Sequence, residues 1–413
     1  NYVLKLNGTD HITLKNITFK NQGSSYSQKI VLTGVTDSVS IDNNTFLGYQ
    51  GGNPTNHVSV YGNSADAEDL TIRNNTFTDG GHFAIYLNSN NSSSSPTGLE
   101  ISGNTFTNTY NGIYVKYFDA LTIRGNTIKG SSMYDYGLNL EYCDGANVIE
   151  GNTIYSPQLT YGIYLNYCQA TSGNEATIAN NLISVEDHGI YLNYYNYYQN
   201  MYYNSVKVRD SYALFTYSGS SNNTLINNIL LTESTGDAAA YFYNTSVITS
   251  SDYNDFYTAY TYPIYSNGNK TLVQWQAYGY DSSSVSIDPL FDADSSLVPT
   301  SYILDNKGTP ISDITDDIYG NNRPETPDMG AVEFTVEGSP LSGIYMLGAG
   351  ADADYDSIST ALNDLSIYGI SGPITFNIQA GTYDDPVVLG QVYGASATNT
   401  ITFQSADANA DSV

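Results

Sequence analysis

The sequence predicts an all-β fold, a right-handed parallel β-helix solenoid with a short capping helix in its C-terminal segment. Three observations carry that expectation. A strand ending in Asn recurs along the chain, a second alternating strand lies between its copies, and the composition is poor in helix formers: of 413 residues, 40 are Tyr and 36 Gly, with only 13% charged.

The first element reads LTIRNNTF from Leu70, LEISGNTF from Leu99, LTIRGNTI from Leu121, NVIEGNTI from Asn147 and ATIANNLI from Ala176, with weaker copies on either side. Its Asn falls at positions 44, 75, 104, 126, 152, 181, 204 and 228, an elastic period near 26. The second element reads AIYLNS from Ala84, GIYVKY from Gly112, GLNLEYC from Gly137, GIYLNYC from Gly162 and GIYLNYY from Gly189. A leucine-rich repeat competes for the first element, but it would fill the remainder with a helix or a 3₁₀ turn, whereas this chain fills it with Gly, Tyr, Asn and another strand. Stacked coils follow, each strand pairing with its equivalent about 4.8 Å along the axis and alternate residues pointing inward.

On that geometry Asn75, Asn104, Asn126, Asn152 and Asn181 turn the chain in the left-handed conformation and stack as a structural ladder. Phe77, Phe106 and Ile128 stack inside. Tyr86, Tyr114, Tyr164 and Tyr191, each between two apolar residues, point outward as a strip interrupted at Asn139. Such a strip either stacks on itself and stiffens the wall or contacts glycans or a protein partner, and Tyr194, Tyr195, Tyr197 and Tyr198 invite the same two readings. Cys143 and Cys168 fall at equivalent places in adjacent second strands, close enough for a disulfide, although in-register parallel side chains rarely reach its preferred torsion.

The repeat fades after about Asn254, and the chain then reads DYNDF from Asp252, carries its single Trp at Trp275, and continues with DPLF from Asp288 and PDMGAVEF from Pro327. At these words it resembles the right-handed β-helix surface proteins of the Bacteroidota. The resemblance implies a type 9 secreted or surface-anchored protein, extracellular and at the cell surface, with residues 1–337 as the β-helix body and its closing segment. Residues 338–413 differ. A strand, GIYMLG, and a helix from Asp356 to Leu365 capped by Ser357 precede ITFNIQAGTYDDPVVL and ITFQSA, which read as strands. That order resembles the N-terminal cap and first coils of the next β-helix domain, so the expectation is a piece of a tandem array, with natural circular permutation as the alternative. Neighbouring β-helix domains of the same polypeptide or filament are then the expected partners.

Asp and Glu number 41 against 13 Lys and Arg, a net charge of −28 that repels nucleic acid and anionic membranes. No stretch approaches the roughly 20 apolar residues that cross a bilayer, so no membrane insertion is expected. Parallel β-helices host polysaccharide lyases and hydrolases, yet Arg occurs only at Arg73, Arg124, Arg209 and Arg323. The best acid–base group is Glu186, Asp187 and His188, which reads more simply as a solvated turn. Asp316 with Asp317 and Asp384 with Asp385 read as loop charges. Asp352, Asp354 and Asp356 have the spacing of a Ca²⁺ loop but lack its Gly and distal Glu. Apart from Ca²⁺ there, no cofactor is expected. The sequence thus points to a noncatalytic structural repeat of a long surface adhesin or filament, with an extracellular polysaccharide-active enzyme or a glycan-binding module as alternatives.

Overall fold

A computed structural model describes residues 2–49, 56–89, 95–130, 135–384 and 386–408. Asp385, together with the first and last residues of the chain, lies outside them. The chain divides into two compact units. The first comprises Asn1–Ser286, Ala293–Leu297 and Gly308–Glu333, and the second Ile287–Asp292, Val298–Lys307 and Phe334–Val413.

The first unit is a parallel solenoid with three walls. One coil shows how the sequence makes it: Phe83–Asn88 forms the first wall, Glu100–Ser102 the second and Thr105–Thr107 the third, each pairing in parallel register with the coils before and after. The recurring motif therefore holds two short strands separated by a corner. Along the first wall the register runs from Leu4–Asn7 to Ile264–Ser266, beyond the point where the sequence repeat fades, because the first-wall strand persists after the Asn motif has stopped. Ten intervals of this kind span about 50 Å.

Inward residues stack in kind. Phe46, Phe77 and Phe106 lie ring on ring at 4.6 and 4.8 Å, and Ile101, Ile123, Ile149 and Ile178 are buried in register on the second wall. Glycine opens the first-wall strands for lack of space. A Cβ on Gly162 would fall 2.5 Å from Ile183 Cγ2 and 2.6 Å from the carbonyl oxygen of Gly189.

The corner corrects one expectation. The left-handed residue is the one preceding the ladder asparagine: Asn74, Gly103, Gly125, Gly151 and Asn180 have φ of 56°, 62°, 63°, 64° and 53°. The preceding residue makes the turn, and this frees the next side chain to point inward.

Two features close the body. Leu272–Gln276 is a short helix that the strand pattern conceals, started by a capping box between Thr271 and Gln274. Its Trp275 is fully buried, stacks on Phe242 at 5.2 Å and donates from Nε1 to Asp281 Oδ2 at 2.6 Å. Residues 308–333 then run back along the corner, where Tyr203 Oη and Asn227 Nδ2 both donate to the Thr309 carbonyl at 2.7 Å.

In the second unit Leu341–Leu347, Ile370–Ile378 and Ile401–Ser405 form a parallel sheet, and Ile358–Tyr368 packs Ala361 and Leu365 into a core with Phe376 and Ile374. Ser357 is the N-cap, accepting from the Thr360 backbone N–H at 3.2 Å, and the helix continues past Leu365 to Gly369, whose φ of 64° ends it. The PVVL stretch forms no strand, and Val388 is 90% exposed.

Candidate functional site: an aromatic wall beside a buried ladder

The ladder asparagines are buried at the inner side of the corner. Asn104 Oδ1 accepts from Asn75 N and Nδ2 at 2.9 and 3.0 Å, while Asn104 Nδ2 donates to Asn126 Oδ1 at 3.0 Å and to the Ile72 carbonyl at 2.8 Å. The same pattern links Asn126 to Asn152, Asn152 to Asn181, and onward through Asn204 and Asn228 to Asn254. Asp281 and Ser284 end it, receiving the Asn254 side chain at 3.0 Å and its backbone N–H at 2.8 Å. Every amide is thereby engaged within the protein, so these residues have no free polar atom to offer a ligand.

The outward face of the first wall holds the tyrosines. Tyr61, Tyr86, Tyr114, Asn139, Tyr164, Tyr191, Phe215, Tyr241 and Tyr265 lie in register. Tyr86 and Tyr114 stack at 4.7 Å and 13°, Tyr164 and Tyr191 at 5.3 Å and 17°, and Tyr191 continues onto Phe215 at 4.5 Å. Burial holds the Tyr114 and Tyr164 hydroxyls well above the ordinary phenol range and pushes Tyr191 up to about 12. Rings stacked this closely cover each other's faces and present edges and hydroxyls. Sugar stacking on their faces is therefore closed to Tyr86 and Tyr191 inside the file.

Two more files flank this one. Tyr136, Tyr161 and His188, each just before a strand glycine, stack at 5.0 and 5.3 Å. Tyr117, Tyr142, Tyr167 and Tyr195, all left-handed, form the other file: Tyr117 is tilted against Tyr142 at 5.2 Å, the rest stack at 4.8 and 5.3 Å, and Gly219 closes it against the Tyr195 ring. Their signal was the aromatic residue one position before the Gly and one before the Cys in successive copies. Polar groups line the gap between files: Lys116 pairs with Glu141 at 3.1 Å, and Asn193 Nδ2 donates to Tyr164 Oη at 2.6 Å and Asn166 Oδ1 at 3.2 Å.

Glu186 and Asp187 form the expected half-exposed turn, whereas His188 starts the following strand and is packed against Tyr161, Tyr191, Tyr212 and Phe215. Burial lowers its pKa to about 4, so the ring is neutral near pH 7. Its Nε2 lies 3.1 Å from Ser211 Oγ, a hydrogen bond that runs in either direction according to the tautomer, and among the described residues its buried Nδ1 has no partner.

Cys143 and Cys168 are both buried, and their thiols are free. Each thiol lies within hydrogen-bond reach of a carbonyl of the preceding coil, Val115 at 3.6 Å and Leu140 at 3.5 Å, and the two thiols also interact with each other. Asp352, Asp354 and Asp356 likewise separate: they accept from Gln379 Nε2, the Met346 backbone N–H and Thr360 Oγ1. Among the described residues no three His, Cys, Asp or Glu side chains gather as a metal site. No described helix is long and apolar enough to cross a membrane.

Arg323 went unassigned in the sequence and proves to be the anchor of the closing segment. It is paired with Glu333, donates to Asn180 Oδ1 at 2.8 Å, and lies 3.7 Å from the centre of the Tyr203 ring.

Comparison with known proteins places a right-handed β-helix region over residues 3–128 and a periplasmic copper-binding protein (NosD) model over residues 90–284. No curated protein matches the chain. Among solved structures, a PL6 family alginate lyase is similar at 11% identity and a TM-score of 0.25; the match covers 97% of this chain and 64% of the lyase. With its stacked parallel walls and these two family matches, the chain is a right-handed β-helix repeat protein.

Proposed function

We propose that this chain is a noncatalytic spacer of a long exported surface protein, an adhesin or filament in which β-helices follow one another. The observation that carries the proposal is the ladder unbroken from Asn44 to Asn254, with hydrogen bonds running parallel to the coil axis through every turn. Such a stack resists bending and extension because separating two coils breaks three strand pairings and the ladder together. A second parallel sheet with its own core at residues 341–405 supports reading residues 338–413 as the head of a following β-helix. The periplasmic description of the matched family supports export.

Copper fits poorly. In the matched region Cys143, Cys168 and Met201 are buried among core side chains, burial raises the Cys143 thiol well above its usual range, and the His188 ring is packed among aromatic side chains. Incubating the chain with alginate, polygalacturonate and xylan should release neither unsaturated nor reducing ends. Release that disappears in His188→Ala would overturn the proposal. Stretching a single chain between two handles should give a high-force, cooperative rupture, whereas extension at low force would exclude a load-bearing spacer.

A further inference from the structure

On the first wall the positions in register with Lys29 are Ser59, Ala84, Gly112, Gly137, Gly162, Gly189 and Ala213. The column is small from Ser59 onward because the third wall crowds it: a Cβ on Gly137 would lie 2.8 Å from Ile154 Cγ2, and one on Gly189 2.1 Å from Val206 Cγ1. Lys29 puts a long side chain there. It is fully buried, and among the described residues its Nζ has no hydrogen-bond partner. Gly48 makes the room: a Cβ on it would fall 2.5 Å from Lys29 Nζ and 2.1 Å from the Asp79 carbonyl oxygen. The backbone of this corner therefore closes directly over the amine, held by the Gly48 N–H on the Thr78 carbonyl at 3.0 Å and the Asp79 N–H on the Thr107 carbonyl at 3.1 Å.

The ionisable groups on the surrounding elements leave that amine unpaired. Asp79 favours its charged form without bonding to it. His57, one coil on, holds the Ser24 carbonyl through Nε2 at 3.1 Å, with Tyr49 against its ring, and His82 follows it in the next coil. Asp66 stands at the far end of the neighbouring strand, and Lys5 and Lys20 on the first coil are exposed. Burial lowers the Lys29 pKa to about 7, whereas a lysine in water titrates at about 10.4.

We propose that Lys29 is a proton-operated latch in the solenoid: uncharged, it lets the corner of Gly48 and Asp79 close over it, and charged, it drives that corner open so that the ammonium reaches water. The open form binds the proton more tightly than the closed form. Its fraction therefore rises as pH falls from about 10.4 and levels off below about 7. In the later coils the same position carries Ser, Ala or Gly, so the response is confined to this corner. The inference does not depend on the spacer reading, since the column and its buried amine are the same whatever the solenoid is for.

The test follows single-amide hydrogen exchange of the whole chain, corrected for the intrinsic rate, at pH 7.5 and 9.0, a window above the ordinary range of carboxylates and imidazoles. The Gly48 N–H should exchange at least about tenfold faster at pH 7.5 than at 9.0. The Ser156 N–H, which makes the equivalent bond to the Ser184 carbonyl at 3.0 Å, should change by less than about twofold. Lys29→Met should remove the difference at Gly48, and Lys29→Arg, charged throughout, should leave that amide fast at both values. A carbon-13 titration of the lysine Cε atoms in the wild-type protein needs no variant to fold and should show Lys29 titrating near 7. A Lys29 signal that titrates with the other lysines, pH-independent exchange at Gly48, an equal response at Ser156, or a Gly48 response that persists in Lys29→Met would each overturn the proposal. So would slower exchange at pH 7.5, the sign expected if the new ammonium paired with Asp79 and tightened the corner.

Discussion

The coils from Leu99 to Asn166 and those from Ala176 to Asn228 share one inner ladder and differ in the residue just before it. In the earlier coils that corner residue is Gly103, Gly125 or Gly151, which has no side chain with which to fasten another segment. In the later coils it is Asn180, Tyr203 or Asn227, with φ of 53°, 52° and 60°, and each side chain grips residues 308–333 or Arg323. A left-handed non-glycine residue costs roughly 1 kcal/mol. The later coils carry that strain because their corner side chains hold something down. The inner position is dictated by closing the coil, whereas the outer one is free to take on a second task.

The largest expected effect tests the shared part. Asn152→Ala and Asn204→Ala should each destabilise the protein by about 3–5 kcal/mol in urea unfolding, since each leaves several buried amide and carbonyl groups unpaired. A much smaller loss in one region would break the claim that both use the same ladder. Next comes the difference itself. Arg323→Ala strands the half-buried Glu333 and should cost about 3 kcal/mol, with amide exchange accelerating in residues 308–333 and unchanged in residues 99–166.

Buried cations give a third contrast. Lys116 has Glu141, but Lys29 is fully buried with no hydrogen-bond partner among the described residues, and burial lowers its pKa to about 7 although Asp79 pulls it upward. Unfolded lysine titrates near 10.4, so between these values the unfolded state binds more protons and wild-type stability rises with pH. Below about pH 7 both states are charged and the penalty is complete. Lys29→Met should therefore raise the melting temperature most near pH 6 and progressively less toward pH 10, as measured by thermal scans across that range. The smallest effects belong to the bare corners. Gly125→Ala, at φ 63°, should cost about 1 kcal/mol, and Arg124→Ala, whose pair with Glu150 is largely exposed, about 0.5 kcal/mol or less.

Much of this was legible beforehand because period and position carry physical meaning. The alternating strands, the inward Phe and Ile and the neighbouring places of the two cysteines all follow from counting residues between copies. The helix at Leu272 was hidden because five residues are too few to show a helical period, and its capping box lies within an otherwise strand-like stretch. The anchor at Arg323 was hidden for a different reason: its partners Asn180 and Tyr203 are more than a hundred residues away, and no repeat relates them.

By itself the sequence determined the coil, since a β-helix makes each residue's neighbour its own counterpart in the next copy, and local pattern then becomes tertiary contact. Only the tertiary structure decided which faces remain open. Whether a tyrosine ring lies flat against the next or turns perpendicular to it depends on side-chain packing across coils, and residue type at a repeat position does not encode that.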